Sequence, residues 1–528
     1  MTKKKFYITT AIAYPNARPH MWHALEIIQA DALARMYRMI WKDVEFQTWT
    51  DEHGVKNRRT AQKGWKEILE FLDENVSAFK ELYSKLQISY NTFLRTSDKQ
   101  IHYPWAQKLW NKLVEAGDIE KKSYTGLYCA GCEKFITEKE LIDWKCPEHP
   151  TLNIEEIQEE NYFFKLSKYK EEIINDIETN TYEIYPESRK KEILEFLKNA
   201  QDISFSRPKS SLPRWIPVPN DPEHVMYVWC DALSNYITWQ GYENDEEKFN
   251  NTRPADIHLI WKDILRFHAA FRPAMLKSAK IALPKKLLVH GFLTLNGARM
   301  SKSTWNVIDP LEVLDLVPRD GFVFNLLYDV PLNNDWDFSK DRLLNVYDSM
   351  VIWWRWNLVN RVTSLCVKYG IDEAKYDKEK MLFWLQDIEA FSFIDVNWKM
   401  SPNNIEKEYL ENGNIQYFLT NWYFVVQAAN LYITKAEPRI KRKNEDTKEE
   451  AKSDLQFLLY IVKNLALLSA PVLVDGFKKI QEIFWNEELN KIDSSKNISE
   501  PELFKKVFDM KEFKVNLNPQ IIYKRIEA

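Results

Sequence analysis

The first fifty residues fix the class of fold. Residues 5–13 (KFYITTAIA) and 43–50 (DVEFQTWT) are β-type runs of strand length, and between them Leu25, Ile28, Ala32, Met36 and Met39 recur at helical spacing. A β-α-β start implies a parallel sheet joined by crossover helices, hence an α/β fold. Strand-like text returns at HVMYVWCDAL, IHLIW and KKLLVHGFLTL, as expected of the second half of a split sheet. Helical patterns fill 57–117, a Cys/His segment interrupts them at 124–150, and from about 345 onward the pattern is mainly helical, with a mixed-charge stretch at 435–453 that reads as a solvated loop.

Length sets two to four domains as the prior for 528 residues. No apolar run is long enough to span a bilayer, and the polar-interrupted start MTKKKFYITTAIAYP reads as a first strand rather than a signal peptide. The net charge of −4 leaves any nucleic-acid contact to local basic patches. Five cysteines, three of them clustered, suggest a reducing, cytoplasmic compartment and a metal site rather than a disulfide framework. Glycine is the anomaly: 12 residues in 528, against 20 tryptophans, where about 7% glycine is usual and an α/β chain needs glycine at many positive-φ turns.

Four local patterns carry chemistry. Cys129-x-x-Cys132 followed by Cys146-x-x-His149 can close a tetrahedron around a structural zinc ion. His20 and His23, at i and i+3 on the start of a helical pattern, aim two imidazoles and the helix N–H groups at an anion. Asp51-Glu52-His53-Gly54 follows a strand, and carboxylates at the carboxyl end of a parallel strand lie where such sheets bind ligands. Gly297 to Ser303 (GARMSKS) is a cationic loop after a late strand, suited to closing on transferring phosphates. Taken singly, each also reads as an ordinary surface feature.

Their order changes the odds. An early His-x-x-His, a late Met-Ser-Lys-Ser and a Cys/His knuckle between them resemble the signatures of class I aminoacyl-tRNA synthetases, specifically the methionyl-tRNA synthetases of bacterial type. The surrounding text extends the resemblance: AYPNARPHMWHALEIIQADALAR, TDEHGVK, GLYCAGCEKFITEKEL, IPVPNDPEHVMYVWCDALSNYIT, KDILRFHAAFRPAML and HGFLTLNGARMSKS. The resemblance implies a split Rossmann-type catalytic domain (1–118 and 213–325) with a zinc-knuckle insertion (119–212), a connecting segment (326–345) and an all-α anticodon-binding bundle (346–528). It implies activation of L-methionine by ATP with Mg2+, transfer to tRNA(Met), one structural Zn2+ and a monomer. His20, Trp22, His23, Ser301, Lys302 and Ser303 would hold ATP, with Arg299 where the family usually has lysine. Ile12, Tyr14, Trp229, Tyr236 and His268 would enclose the thioether, Asp51 would take the ammonium, Arg207 would orient Asp51, and Asp263 would lie in the cleft. Asn357, Arg361 and Arg439 match positions that contact the anticodon. No large editing insertion is present, which counts against the leucyl, isoleucyl and valyl relatives.

The chain departs from that pattern in one direction. Trp22, Trp41, Trp49, Trp144, Trp215, Trp261, Trp305, Trp336 and Trp356 stand where the family has glycine, whereas Trp229 is where tryptophan is expected. Arg272 and Arg439 stand where tryptophan is usual. This pattern points to a decoding difference, UGA being glycine in the source and rendered here as tryptophan, with some arginine codons read there as tryptophan. The rival is an inactive paralogue kept as a tRNA-binding module, which should concentrate its departures at the active site; Trp144 and Trp356 lie elsewhere. Another class I synthetase or nucleotidyl transferase is the third reading. The segment near 321–331 is also shorter than in the family.

Overall fold

The structure, a computed structural model, describes residues 5–129, 134–136, 138, 141–147, 152–210, 214–238, 241, 245–300, 307–385, 401–484, 486–493 and 501–518. The described chain forms two compact units: residues 1–19, 45–81 and 90–290, and residues 20–44, 82–89 and 291–528.

The first unit is built on a six-stranded sheet of β1 (Phe6–Ala13), β2 (Val44–Thr50), β3 (Thr92–Arg95), β4 (Glu183–Tyr185), β5 (Ile257–Trp261) and β6 (Lys286–His290), in the order β3-β2-β1-β5-β6-β4. Pairs β1–β5, β5–β6, β6–β4 and β2–β3 are all parallel. β1 and β2 are buried along nearly their whole length, which is why they read as continuous apolar runs. Strand order reverses between β1 and β5, where Ile8 pairs with Ile257 and Thr9 with His258. Two edge strands were hidden in the sequence: β3 lies within the stretch expected to be helical, and β4 within the insertion between the Cys/His segment and the second half-sheet. Both are short, three or four residues, too few to show a period.

HVMYVWCDAL is not one strand. Strand Asp221–Met226 ends and helix Val228–Thr238 begins within it, because an apolar run this short carries no period to separate the two. A four-stranded antiparallel sheet, Lys134–Ile136, Ile119–Cys129, Glu155–Phe164 and Ile203–Ser204, forms the Cys/His insertion.

The second unit is mainly helical, as expected. Helix Met21–Met39 is buried on almost every face. Its polar groups are matched within the unit: Arg35 Nε donates to Asp31 at 2.7 Å, and Asp31 also accepts from the backbone and hydroxyl of Ser89. The 435–453 stretch is not a loop. Helix Pro438–Lys441 and a short 3₁₀ turn lead into helix Lys448–Ser469, with the charges on exposed faces. KKLLVHGFLTL divides into β6 and Leu293–Leu295, and the latter pairs with Ala298–Arg299 and Trp336–Asp337. The shortened segment near 321–331 folds as helix Arg319–Asp329. No helix among the described residues is long and apolar enough to cross a membrane.

Gly291 is held by close approach rather than by φ. A Cβ there would meet the Asn334 carbonyl oxygen at 2.3 Å, and Gly291 N donates to Leu332 O. Backbone cannot swing aside as a side-chain tip can, so Gly291→Ala should lower unfolding stability by about 1–3 kcal/mol, measurable by denaturant titration.

Candidate active site

The carboxyl ends of β1, β2 and β5 carry one set of candidate residues, all in the first unit. The reversal between β1 and β5 is the place where open parallel sheets bind ligands. Ile12 is near the end of β1, Tyr14 just past it, Asp51 follows β2, and Asp263 sits in the 3₁₀ turn after β5. Asp51 is buried; its N–H donates to Ala13 O at 2.8 Å, its Oδ1 accepts from His53 N, and its carbonyl accepts from Asn57.

The structure separates the two neighbouring carboxylates. Glu52 is engaged by Arg95 through two bonds of 2.6 and 2.9 Å and also accepts from Thr50 and Ser97. Glu52 is thereby a structural anchor.

An aromatic enclosure faces the same strand ends. Trp229 stacks on Phe267 at 3.8 Å between centroids and meets Tyr14 and His268 edge-on. His268 sits in a π-helical turn, Phe267–Phe271, a distortion common at functional sites. Its Nδ1 donates to Ile264 O at 2.9 Å and its Nε2 accepts from the Tyr236 hydroxyl at 2.7 Å. Burial, chiefly, against the pull of the Ile264 carbonyl and aided by the Arg272 charge, takes His268 down to about 3. The imidazole is therefore neutral, with its hydrogen on Nδ1. Arg207 packs over the Tyr227 ring at 4.5 Å and donates to Ser204 Oγ and Ser206 O.

Behind Asp51 lies a network that sequence reading missed. Asp231, fully buried on helix Val228–Thr238, accepts from His53 Nδ1 at 2.6 Å and from His102 Nε2 at 2.5 Å. The other His53 nitrogen meets the Tyr103 hydroxyl at 2.9 Å. Burial alone would raise the Asp231 carboxyl; the His53 charge and the two imidazole hydrogen bonds outweigh it and hold Asp231 below its ordinary value. One carboxylate thus ties the turn after β2 to the helix that carries Trp229 and Tyr236. The signal was the Asp two residues after Trp229, but its partners are far away in sequence.

A second set belongs to the second unit. His20 caps helix Met21–Met39: its side chain accepts from the Trp22 and His23 backbone, while His23 Nδ1 accepts from His20 N at 3.1 Å. This is a capping box made of two imidazoles rather than Ser and Glu. With both Nδ1 atoms accepting, each neutral ring carries its hydrogen on Nε2, at the positive end of the helix. Trp22 stacks on Phe292 (4.5 Å, 5°) and donates from Nε1 to Leu293 O at 2.6 Å.

A tight hairpin precedes the Met-Ser-Lys-Ser pattern in the chain. Leu295 and Ala298 pair across Asn296 and Gly297, both with positive φ (54° and 73°), the type I′ geometry that Asn-Gly favours. Asp337 braces it, accepting from Gly297 N and Thr294 Oγ1. Arg299 is on the second hairpin strand; Ser301, Lys302, Ser303 and Trp305 lie outside the described residues.

Asn357 and Arg361 are exposed one turn apart on helix Asn357–Tyr369, and Arg439 is exposed on Pro438–Lys441. Of the four proposed zinc ligands, Cys129 and Cys146 are buried in one small cluster with Ile136; Cys132 and His149 lie outside the described residues. Among the described residues no group of three or more possible ligands gathers around a metal position.

The family model for tRNA synthetases class I (M) matches residues 6–156 and 151–363. A methionine–tRNA ligase of Clostridium tetani is 40% identical over 498 residues, 93% of this chain and 74% of its own length. That of Thermotoga maritima is 36% identical over 529 residues, 97% of this chain and 81% of its own. The Mycobacterium tuberculosis methionyl-tRNA synthetase in complex with methionyl-adenylate superposes with a TM-score of 0.82 at 32% identity, covering 91% of this chain and 94% of that one. The chain belongs to the methionyl-tRNA synthetase family of class I tRNA synthetases.

Proposed function

We infer that this chain is a methionine–tRNA ligase, which activates L-methionine with ATP to methionyl-adenylate and transfers it to tRNA(Met). The observation that carries the reading is the aromatic enclosure of Tyr14, Trp229, Phe267, His268 and Tyr236 at the strand-order reversal, with Asp51 beside it. A thioether suits aromatic walls, an ammonium suits a buried carboxylate, and a neutral His268 avoids placing a cation against an apolar side chain. Arg207 and Asp263 complete this group as supporting residues. The relatives' shared name and the adenylate bound to the M. tuberculosis enzyme support the same reading, and neither favours an inactive paralogue.

No protein nucleophile is needed. The methionine carboxylate attacks the α-phosphate and displaces pyrophosphate as the bond between the α-phosphorus and the bridging oxygen breaks, and the chain contributes positioning and charge. His20 and His23 would each offer an Nε2 hydrogen to the triphosphate, with the Met21–Met39 helix N-terminus behind them, while Arg299, Ser301, Lys302 and Ser303 would close over it. Mg2+, held by the triphosphate, would neutralise charge. Trp22 fills a flat slot between Phe292 and the Leu293 carbonyl; with glycine at 22 that slot has the shape and the acceptor for adenine. The buried pair Cys129 and Cys146 fits half of a structural zinc site, with Cys132 and His149 as the other half. Asn357, Arg361 and Arg439 would read the unpaired anticodon bases.

Three measurements test this. Protein from its source cells should catalyse methionine-dependent exchange of pyrophosphate into ATP, and Asp51→Asn should reduce kcat/KM for methionine by about 100-fold; no exchange with methionine overturns the reading. Asp231→Asn should raise the methionine KM about tenfold, the worth of a lost charged hydrogen bond, while leaving the ATP KM unchanged, because the turn and the helix it ties carry proposed methionine residues and no proposed ATP residue. Arg361→Ala should raise the tRNA KM by about tenfold with pyrophosphate exchange unaltered.

A further inference from the structure

Three tryptophans occupy backbone that is built for glycine. Helix Met21–Met39 ends with Trp41 N donating to Arg38 O and Lys42 N to Tyr37 O, and Trp41 has φ 73°. Helix Val55–Lys63 ends the same way: Trp65 N to Gln62 O, Lys66 N to Ala61 O, φ 55°. Both are Schellman closures with tryptophan at the left-handed position. The chain supplies its own reference in helix His102–Glu115, where Gly117 (φ 72°) donates to Val114 O and Asp118 to Leu113 O. Asn180, Gln87 and Lys280 also adopt positive φ at helix ends, so a slender side chain can be fitted there; a bulky aromatic is a true outlier. Packing does not force it either, since Trp65 is 96% exposed.

Trp144 repeats the anomaly in a hairpin. Ile142 and Lys145 exchange both backbone hydrogen bonds across Asp143 (φ 51°) and Trp144 (φ 59°). That is a type I′ turn, whose preferred pairs are Asn-Gly and Asp-Gly. Asn296-Gly297 fills the same turn elsewhere in this chain; here the pair is Asp-Trp.

Two arginines show the opposite fault. Arg272 and Arg253 are buried; Arg253 Nη2 donates to Ala282 O at 2.7 Å, but among the described residues Nε and Nη2 of Arg272 and Nε and Nη1 of Arg253 have no hydrogen-bond partner. Arg272 lies over the Tyr236 ring at 4.6 Å and Arg253 over Phe249 at 5.3 Å. Burial, and for Arg253 the neighbouring Arg272 charge as well, pushes both guanidinium groups below their ordinary value. Buried cations with unsatisfied donors are costly; a large uncharged side chain would fill the same space without that cost.

We propose that the protein as made in its source carries glycine at 41, 65 and 144 and an uncharged aromatic residue at 253 and 272, because its genetic code assigns glycine to a codon rendered here as tryptophan and tryptophan to one rendered as arginine. Backbone geometry alone identifies position 65, and unsatisfied burial alone identifies 253. The same reassignment accounts for tryptophan outnumbering glycine 20 to 12.

Tandem mass spectrometry of protein purified from its source cells tests this directly. The expected result is glycine at 41, 65 and 144 and tryptophan at 253 and 272. Tryptophan at 41, 65 or 144 overturns the glycine assignment, and arginine at 253 and 272 overturns the aromatic one. Recombinant chains give a second readout. Trp41→Gly, Trp65→Gly and Trp144→Gly together should raise the midpoint of thermal unfolding by several degrees, and an unchanged or lower midpoint counts against the glycine assignment.

Discussion

The parallel pairing of β1 with β5 is the constraint on which the first unit depends. It joins residues 249 positions apart and creates the reversal in strand order at which the candidate methionine residues converge. Polar side chains lock it as firmly as the ladder does. Tyr7 N donates to Asp256 at 2.8 Å, Thr9 Oγ1 meets His258 Nδ1 at 2.5 Å, and the Tyr7 hydroxyl reaches Gln47 on β2 and the Tyr236 carbonyl. Each contact is buried, so a register slip would strand several polar groups at once. Tyr14 and Asp263 can only lie at adjacent strand ends because this register holds.

From that frame the candidate methionine site is assembled by two kinds of contact with different roles. Aromatic faces supply shape: Trp229 on Phe267, Tyr14 edge-on to Trp229, Tyr236 edge-on to His268. Buried carboxylates supply position. Glu52 is saturated by Arg95 and two hydroxyls, and Asp231 holds His53 and His102, so Asp51 directly precedes two anchored residues, Glu52 and His53, on the same turn. A binding carboxylate needs such support because its own hydrogen bonds must be surrendered to a ligand.

What the sequence made legible follows from range and length. β1, β2 and helix Met21–Met39 were readable because each is long and strongly apolar. The histidine pair, Asp51 and the aromatic set are candidates because they stand in text that resembles a known family. β3 and β4 were not readable, since three or four residues carry no period and only their neighbours in the sheet make them strands. Helix Val228–Thr238 was lost inside an apolar run. Glu52 and Asp51 look alike in sequence; what separates them is Arg95, which arrives from β3. The imidazole capping box was likewise hidden, because His is not a residue from which a cap is ordinarily read.

Six tryptophans show the contrast between partnered and strained positions. Trp229 is stacked, Trp110 meets Tyr162 edge-on, and Trp422 is buried with its Nε1 donating to Leu465 O; each has an aromatic or hydrogen-bond partner suited to an indole. Trp41, Trp65 and Trp144 instead stand at left-handed positions, two of them largely exposed. A fold demands positive φ at particular places, whatever residue is written there, because helix ends and two-residue hairpins close in only a few ways. Backbone is therefore a record of residue identity independent of the letter in the sequence. Where a bulky aromatic stands at such a position three times over, at two helix ends and a hairpin turn, the economical explanation lies in the reading of the gene rather than in the chemistry of the protein.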